Sequence, residues 1–536
     1  MSKKHSQVTI LDSSLRDGVQ AESINFSVQD KISIVKLLDK LGVEYIEAGN
    51  PSSNPKDAEF FREIQKVQLS TSKLVAFGST RLKGISCEND INLKNLVESG
   101  TDTVSIFGKS WDFQVTEVLK TSLQENLSMI YETCLFLKKH GKTIIFDAEH
   151  FFDGYASNPD YALRTLKSAI EGGAEIITLC DTNGGTMPME ILKATTYITS
   201  EFQNLENVQF GIHTHNDGGL AVANSLMALE GGCTHIQGTL LGFGERTGNA
   251  NLSTIIPSLE LKLGVSCLPK GRLHLLTPIC REIAEISNMI FPDFMPYVGT
   301  NSFAHKAGMH IDAVKKNPIA YEHIDPDKIG NERVFLLSEV SGRAMILDKI
   351  NRIDPSIKKD DAILNEIMKQ MKNLEKDGYS FEGAEGSFDI FARKIIGKYK
   401  SFFKLHYYKL MSERPNIDEN VSTVVQLKIE VDGKVALTVG EGRGPIHALD
   451  TALRNALRQF FPIVNEIRLT DYKVRVIDSF TSSINATSPT AAVVRVLIES
   501  TDGSDVWTTV GVSQDIIEAS WKALVDSFEY KLSRLK

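Results

Sequence analysis

Eight short runs rich in β-branched residues punctuate the first 250 residues, beginning near Val8, Val43, Leu74, Thr103, Thr143, Glu175, Val208 and Thr234. Each run passes through a polar turn into a helical pattern. That cadence builds parallel strands joined by crossover helices, whereas hairpins or a sandwich would space their strands more closely. Eight units predict a closed (β/α)8 TIM barrel over residues 1–265. Between the first two runs, Ile32, Val35, Leu38 and Leu41 recur at three-residue spacing, and Gly42 supplies a helix stop. A doubly wound sheet is the alternative, but no Gly-x-Gly-x-x-Gly opens the first turn.

Past residue 265 the cadence ceases. The stretch 266–415 reads as a helical, charged connecting or lid region that includes Lys358 to Lys376. From Ser422 the pattern alternates, with Val424, Gln426, Lys428 and Glu430 on one face and Val425, Leu427, Ile429 and Val431 on the other. A glycine-rich turn and a helical segment from His447 to Phe461 follow. Strand-like runs at Tyr472–Ile477, Ala491–Glu499 and Val506–Val512 and a helix from Ile516 then predict a C-terminal α+β domain over 420–536.

Hydrophobic residues make up 42% of the chain and charged residues 24%, enough to build cores and to exclude global disorder. Its 59 Lys and Arg against 68 Asp and Glu leave a net charge of −9, which disfavours nucleic acid and anionic lipid as partners. No 18-residue apolar stretch and no signal-like segment is present, so the expected address is the cytoplasm, with no membrane partner. Six cysteines within the first 280 residues form no Cys-x-x-Cys pair and are expected to be reduced, buried thiols.

Barrels of this kind place chemistry where strands end. Ligand-type residues cluster there: Arg16 and Asp17 after the first strand, Asp147 to His150 after the fifth, Asp181-Thr182-Asn183-Gly184 after the sixth, His213-Thr214-His215 at the seventh and Gly242 to Asn251 after the eighth. Two residues apart on a strand, His213 and His215 face the same side and offer two imidazoles to one divalent metal ion. Barrel closure brings Asp17 near them. Two nitrogens plus oxygens suit Zn²⁺, Mn²⁺, Fe²⁺ or Co²⁺, and Mg²⁺ less specifically. Arg16 offers a fork of donors to a carboxylate or polarised carbonyl, with a salt bridge inside the barrel as the structural alternative.

The segments Leu15-Arg16-Asp17-Gly18, His213-Thr214-His215-Asn216-Asp217 and Gly244-Glu245-Arg246-Thr247-Gly248-Asn249 resemble signatures of the α-isopropylmalate, homocitrate and citramalate synthase family. Gly440-Glu441-Gly442-Arg443-Gly444-Pro445 resembles the start of a helix in that family's C-terminal regulatory domain, so the likeness spans the chain. Within the family, Asn50 to Asp57 and Gly378 to Glu385 are most similar to the long citramalate synthases. The resemblance implies an acyltransferase that condenses acetyl-CoA with pyruvate to (R)-citramalate and CoA, in isoleucine biosynthesis. It implies metal binding by Asp17, His213 and His215, with Asn249 in or near the shell. Arg16 would steady the developing alkoxide, Thr182 the substrate carboxylate, and Glu149 would stand beside the substrate. His310 is implied as an aid to proton removal and Tyr321 in a nearby role. A homodimer with an isoleucine effector site is implied for the C-terminal domain.

Two departures concern the keto acid's side-chain pocket. Val19-Gln20 stands where many members carry Glu-Gln, and Asp147 to His150 is more acidic than the usual Phe-Ser-x-Glu. Three competing readings follow. One is 2-isopropylmalate synthase, with 2-oxoisovalerate as acceptor. Another is an acyl-CoA lyase or aldolase on the same barrel, such as 3-hydroxy-3-methylglutaryl-CoA lyase, whose reactive loop cysteine has no counterpart between Gly242 and Asn251. The third is a non-catalytic amino-acid-binding protein. The Gly440 to Pro445 turn lacks the Lys-Ser/Thr ending of a phosphate loop.

Overall fold

The computed structural model describes residues 7–22, 24–205, 207–289, 291–306, 308–335, 343–359, 361–381, 383–413, 422–477 and 493–534. They fall into two compact units, Met1–Phe303 with Glu322–Val334, and Ala304–Tyr321 with Phe335–Lys536.

In the first unit every predicted run becomes a strand: β1 (Thr9–Asp12), β2 (Tyr45–Glu47), β3 (Lys73–Ser79), β4 (Thr103–Lys109), β5 (Thr143–Glu149), β6 (Ile176–Asp181), β7 (Gln209–Thr214) and β8 (His235–Gly238). They pair in parallel and in sequence order, and β8 closes on β1 with Thr9 opposite His235 and Asp12 opposite Gly238. The first helix, Val28–Leu41, starts at a Ser27/Asp30 capping box and stops at Gly42 in the left-handed region. Its Ile32, Val35, Leu38 and Leu41 are buried in the layer between helices and barrel.

Because strand side chains alternate, one set faces that helical layer and the other faces the lumen. Leu11, Tyr45, Val75, Ile145 and Ile176 form a separate apolar cluster of lumen residues. Polar lumen side chains flank that cluster on both sides: Thr9, Gln209 and His235 bond to one another at the strand starts, and the ligand-type residues stand at the C-terminal mouth. All six cysteines are free and buried. Among the described residues, no helix is long and apolar enough to cross a membrane.

The second unit contains two copies of one motif, three antiparallel strands followed by a helix. Strands Lys404–Glu413, Ser422–Val431 and Lys434–Gly442 precede helix Pro445–Leu457, and strands Arg468–Val476, Val494–Thr501 and Val506–Ser513 precede helix Ile516–Leu532. The alternation from Ser422 is realised, with Val425, Leu427, Ile429 and Val431 buried. Gly440 and Gly511 sit on the third strand of each copy, where a Cβ would come within 2.3 Å of Ala452 N and 1.9 Å of Ala519 O. The glycine-rich turn therefore serves close packing of strand on helix.

A smaller core, including Ile346, Ile350, Leu364, Ile367, Met371 and Phe388, joins helices within the predicted connecting region. Three strands lie inside the stretch read as mostly helical: the two-residue strands Ala304–His305 and Val334–Phe335, and the longer Lys404–Glu413. At the end of its sheet, with none of its residues buried, Lys404–Glu413 lacks a clear period of two; its pairing with Ser422–Val431 holds it extended. Ala491, at the head of another predicted run, is outside the described residues, and the observed strand begins at Val494.

Candidate active site

A cavity of about 270 Å³ opens at the barrel mouth, and Arg16, Asp17, Glu149, Thr182, His213 and His215 all line it. The turn after β1 carries the first two. Asp17 N and Gly18 N both donate to Ser13 O, at 2.9 and 3.0 Å, which coils the chain back over the strand end. Asp12 ties this turn to the loop after β8 by accepting from Ser14 N and Leu240 N, each at 2.9 Å. Burial pushes the Asp12 carboxyl up to about 6.

His213 and His215 present their Nε2 atoms 3.3 Å from each other, and these lie 3.4 and 3.9 Å from Asp17 Oδ2. Strand alternation accounts for the pair and barrel closure for the aspartate. Burial opposes charge on Asp17, but Arg16 and His213 outweigh it and hold the carboxyl well below its usual range. Burial likewise opposes charge on His213, and Asp17 overrides it to raise that imidazole. On His215, burial and the neighbouring His213 lower the imidazole to about 3. The centre thus pairs an ionised carboxylate with an imidazole whose nitrogen stays free.

These three side chains form a group able to hold a metal ion, with ligand atoms all within 4.8 Å of one another. Asp17 Oδ1 and Asn249 Oδ1 are buried without a hydrogen-bond partner, as expected of atoms with a further ligand to meet. Nitrogen and oxygen donors fit a divalent cation. Asn249 is held next to His215 by a backbone bridge, and its Nδ2 donates to Phe243 O at 3.0 Å. A Cβ on Gly244, at φ 156°, would come within 2.3 Å of that amide nitrogen. Leu241 and Arg246 in the same loop take positive φ without being glycine, a strain characteristic of functional loops.

Arg16 is clamped. Its Nε donates to Glu47 Oε2 at 2.6 Å, its Nη1 lies 3.1 Å from Asp17 Oδ2, and its guanidinium stacks on the Phe77 ring at 3.9 Å. Burial works against its charge, but Glu47 and Asp17 raise its pKa. Thr182 accepts from His150 N at 2.8 Å through Oγ1, which leaves the hydroxyl hydrogen to donate. Glu149 pairs with Lys109 at 2.5 Å. Arg246 spans the rim, with contacts of 2.7 Å to Asp217 and 2.8 Å to Thr182 O.

The structure brings Arg16, Asp17, Glu149, Thr182, His213 and His215 around one cavity, and places Asn249 beside His215 on the loop after β8 but not among the lining residues. His310 and Tyr321 belong to the second unit, where their rings stack at 4.1 Å. Sequence reasoning missed Glu47, Gln237 and Lys109. For Glu47 and Lys109 a signal was available, since each is a charged residue ending a strand with apolar members.

Residues 7–279 match the HMGL-like family, 297–378 the homocitrate synthase post-HMGL domain-like family, and 382–532 the LeuA allosteric (dimerisation) domain. An (R)-citramalate synthase of Aquifex aeolicus is 47% identical over 528 residues, 98% of each chain. The chain belongs to the citramalate synthase family. A second member, from Geobacter sulfurreducens, is 45% identical over 99% of this chain and 98% of its own. By contrast, a probable 2-isopropylmalate synthase of Methanosarcina mazei is 30% identical, over 97% of this chain and 94% of its own. The C-terminal match covers the duplicated strand-and-helix motif, whose third-strand glycines the packing requires.

Proposed function

We propose that this family member condenses acetyl-CoA with pyruvate and water to give (R)-citramalate and CoA, as a step towards isoleucine in the cytoplasm. The observation that carries the reading is the convergence of Asp17, His213 and His215 beside a clamped Arg16 at the barrel mouth. Bound there by Asp17, His213, His215 and Asn249, a divalent ion such as Mn²⁺, Mg²⁺ or Zn²⁺ supplies Lewis acidity towards a 2-oxo acid.

The chain's own groups divide the remaining work. Thr182 donates its hydroxyl hydrogen to the pyruvate carboxylate. A base removes a methyl proton from acetyl-CoA, and that carbon bonds to C2 of pyruvate. The keto oxygen takes the electron pair of the former double bond, and Arg16 stabilises the negative charge until a proton arrives. Water then hydrolyses the thioester, releasing a carboxylate and the CoA thiol. Glu149, paired with Lys109, is suited to orienting that water. His310 and Tyr321, stacked on each other, are the groups we assign to proton removal. The LeuA allosteric (dimerisation) domain match supports a homodimer with an effector site, and isoleucine, the end product of the proposed route, is the effector we assign to it.

The test is CoA release from acetyl-CoA with pyruvate or 2-oxoisovalerate at equal concentration. Pyruvate should be preferred. A higher kcat/KM with the branched acid would overturn the assignment in favour of an isopropylmalate synthase.

A further inference from the structure

Beneath the histidine pair lies a polar network that strand patterning leaves unexplained. Gln237, fully buried on β8, stands opposite His213 in the β7–β8 register. Its Oε1 is 3.1 Å from His213 Nδ1, while its Nε2 donates to Asp147 Oδ1 at 2.9 Å and to Thr178 Oγ1 at 3.0 Å. Asp147 is held in turn by Ser105 Oγ, which donates to Oδ2 at 2.7 Å. Side chains from β4, β5, β6, β7 and β8 are thereby linked across the lumen.

This arrangement determines which way the amide points. The Asp147 oxygen calls for the N–H₂, and the Thr178 hydroxyl, which can accept as well as donate, takes the second hydrogen, so Oε1 is turned towards His213. An acceptor facing Nδ1 requires the hydrogen there, which leaves the Nε2 lone pair directed at Asp17 and His215. Rotation of the ring would break the Nδ1 bond within a buried, fully committed network.

We propose that Gln237 is a positioning residue that sets the tautomer and orientation of His213 for cation binding, with Asp147 and Thr178 locking the amide. The inference rests on the cation site assigned above. Partners of this kind, bonded to the far nitrogen of a ligating histidine, change metal affinity about 10- to 100-fold when removed.

The experiment titrates Mn²⁺ into metal-free, full-length wild type, Q237M and the double variant Q237E/D147N, following free Mn²⁺ by its paramagnetic resonance signal and the fold by apo-protein melting. Q237M, nearly isosteric but without an acceptor, should bind about 10- to 100-fold more weakly. Q237E alone would set two carboxylates against each other where Gln237 Nε2 now donates to Asp147 Oδ1 at 2.9 Å, so Asp147→Asn is added to supply a donor; the pair keeps an acceptor for His213 Nδ1 and should recover most of the affinity that Q237M loses. Q237M binding like wild type, or the double variant losing as much as Q237M, would overturn the orienting role alone. Failure of the wild-type protein to bind Mn²⁺ would overturn the cation site as well, which separates the two claims. If Q237M does not fold, the ring nitrogen resonances of His213 in Zn²⁺-loaded wild type decide: hydrogen on Nδ1 is expected, and hydrogen on Nε2 would overturn the role.

Discussion

Replacement of Arg16 by lysine separates charge from geometry at the reacting centre. In the native site the guanidinium uses Nε for Glu47 at 2.6 Å and rests its face on Phe77 at 3.9 Å, so its remaining donors are aimed by a rigid fork. Lysine preserves the positive charge beside Glu47, which is fully buried, and avoids stranding that carboxylate. Its single ammonium cannot hold Glu47 and also reach the oxygen that gains charge. Loss of one preorganised donor to a developing oxyanion costs about 2.7 to 4 kcal/mol, a factor of roughly 10² to 10³ in kcat. Binding of acetyl-CoA should change little by comparison. CoA release is read with a chromogenic disulfide, and because all six cysteines are buried and free, background labelling of the folded enzyme should be low. An R16K enzyme with kcat within tenfold of wild type would refute the assignment of Arg16 to the alkoxide.

Chelation should abolish condensation and added Mn²⁺ or Mg²⁺ should restore it; full activity in verified metal-free enzyme would reject the role of the histidine pair. Gly244→Ala, whose Cβ would stand 2.3 Å from Asn249 Nδ2, should displace that amide and weaken Mn²⁺ binding, measured by the same titration. In the C-terminal unit, burial raises Asp526 from 3.8 to about 6 while Ser387 Oγ donates to it at 2.6 Å. The folded state therefore favours the neutral acid, and stability falls as pH rises from near 4 through 6. Asp526→Asn removes that penalty, a gain of up to about 3 kcal/mol above pH 6 and none below pH 4. Melting of both proteins at pH 4 and pH 8 checks this, and an equal shift at the two values would contradict it.

The elements were legible wherever one face of a strand or helix is buried along its length. Ile32, Val35, Leu38 and Leu41 expose a helical period because all four enter the same layer, and Val425 to Val431 expose a period of two for the same reason. Lys404–Glu413 was not legible, because none of its residues is buried and its extended form comes from pairing with a neighbour. At the site, His213 and His215 were readable from local geometry alone. The place of Asp17 needed barrel closure, and the family signatures supplied roles for Thr182 and Asn249, which position after a strand marks only as candidates.

What the amino-acid order determined by itself is therefore the local part: eight βα units, two imidazoles on one side of a strand, and glycines that admit close packing. Only the tertiary structure decided which distant groups meet. Glu47 on Arg16, and Gln237 between His213 and Asp147, are contacts across 31, 24 and 90 residues. Their partners are selected by strand order and register in a closed barrel, and no period in a linear chain records which polar side chains will share a lumen from which water is excluded.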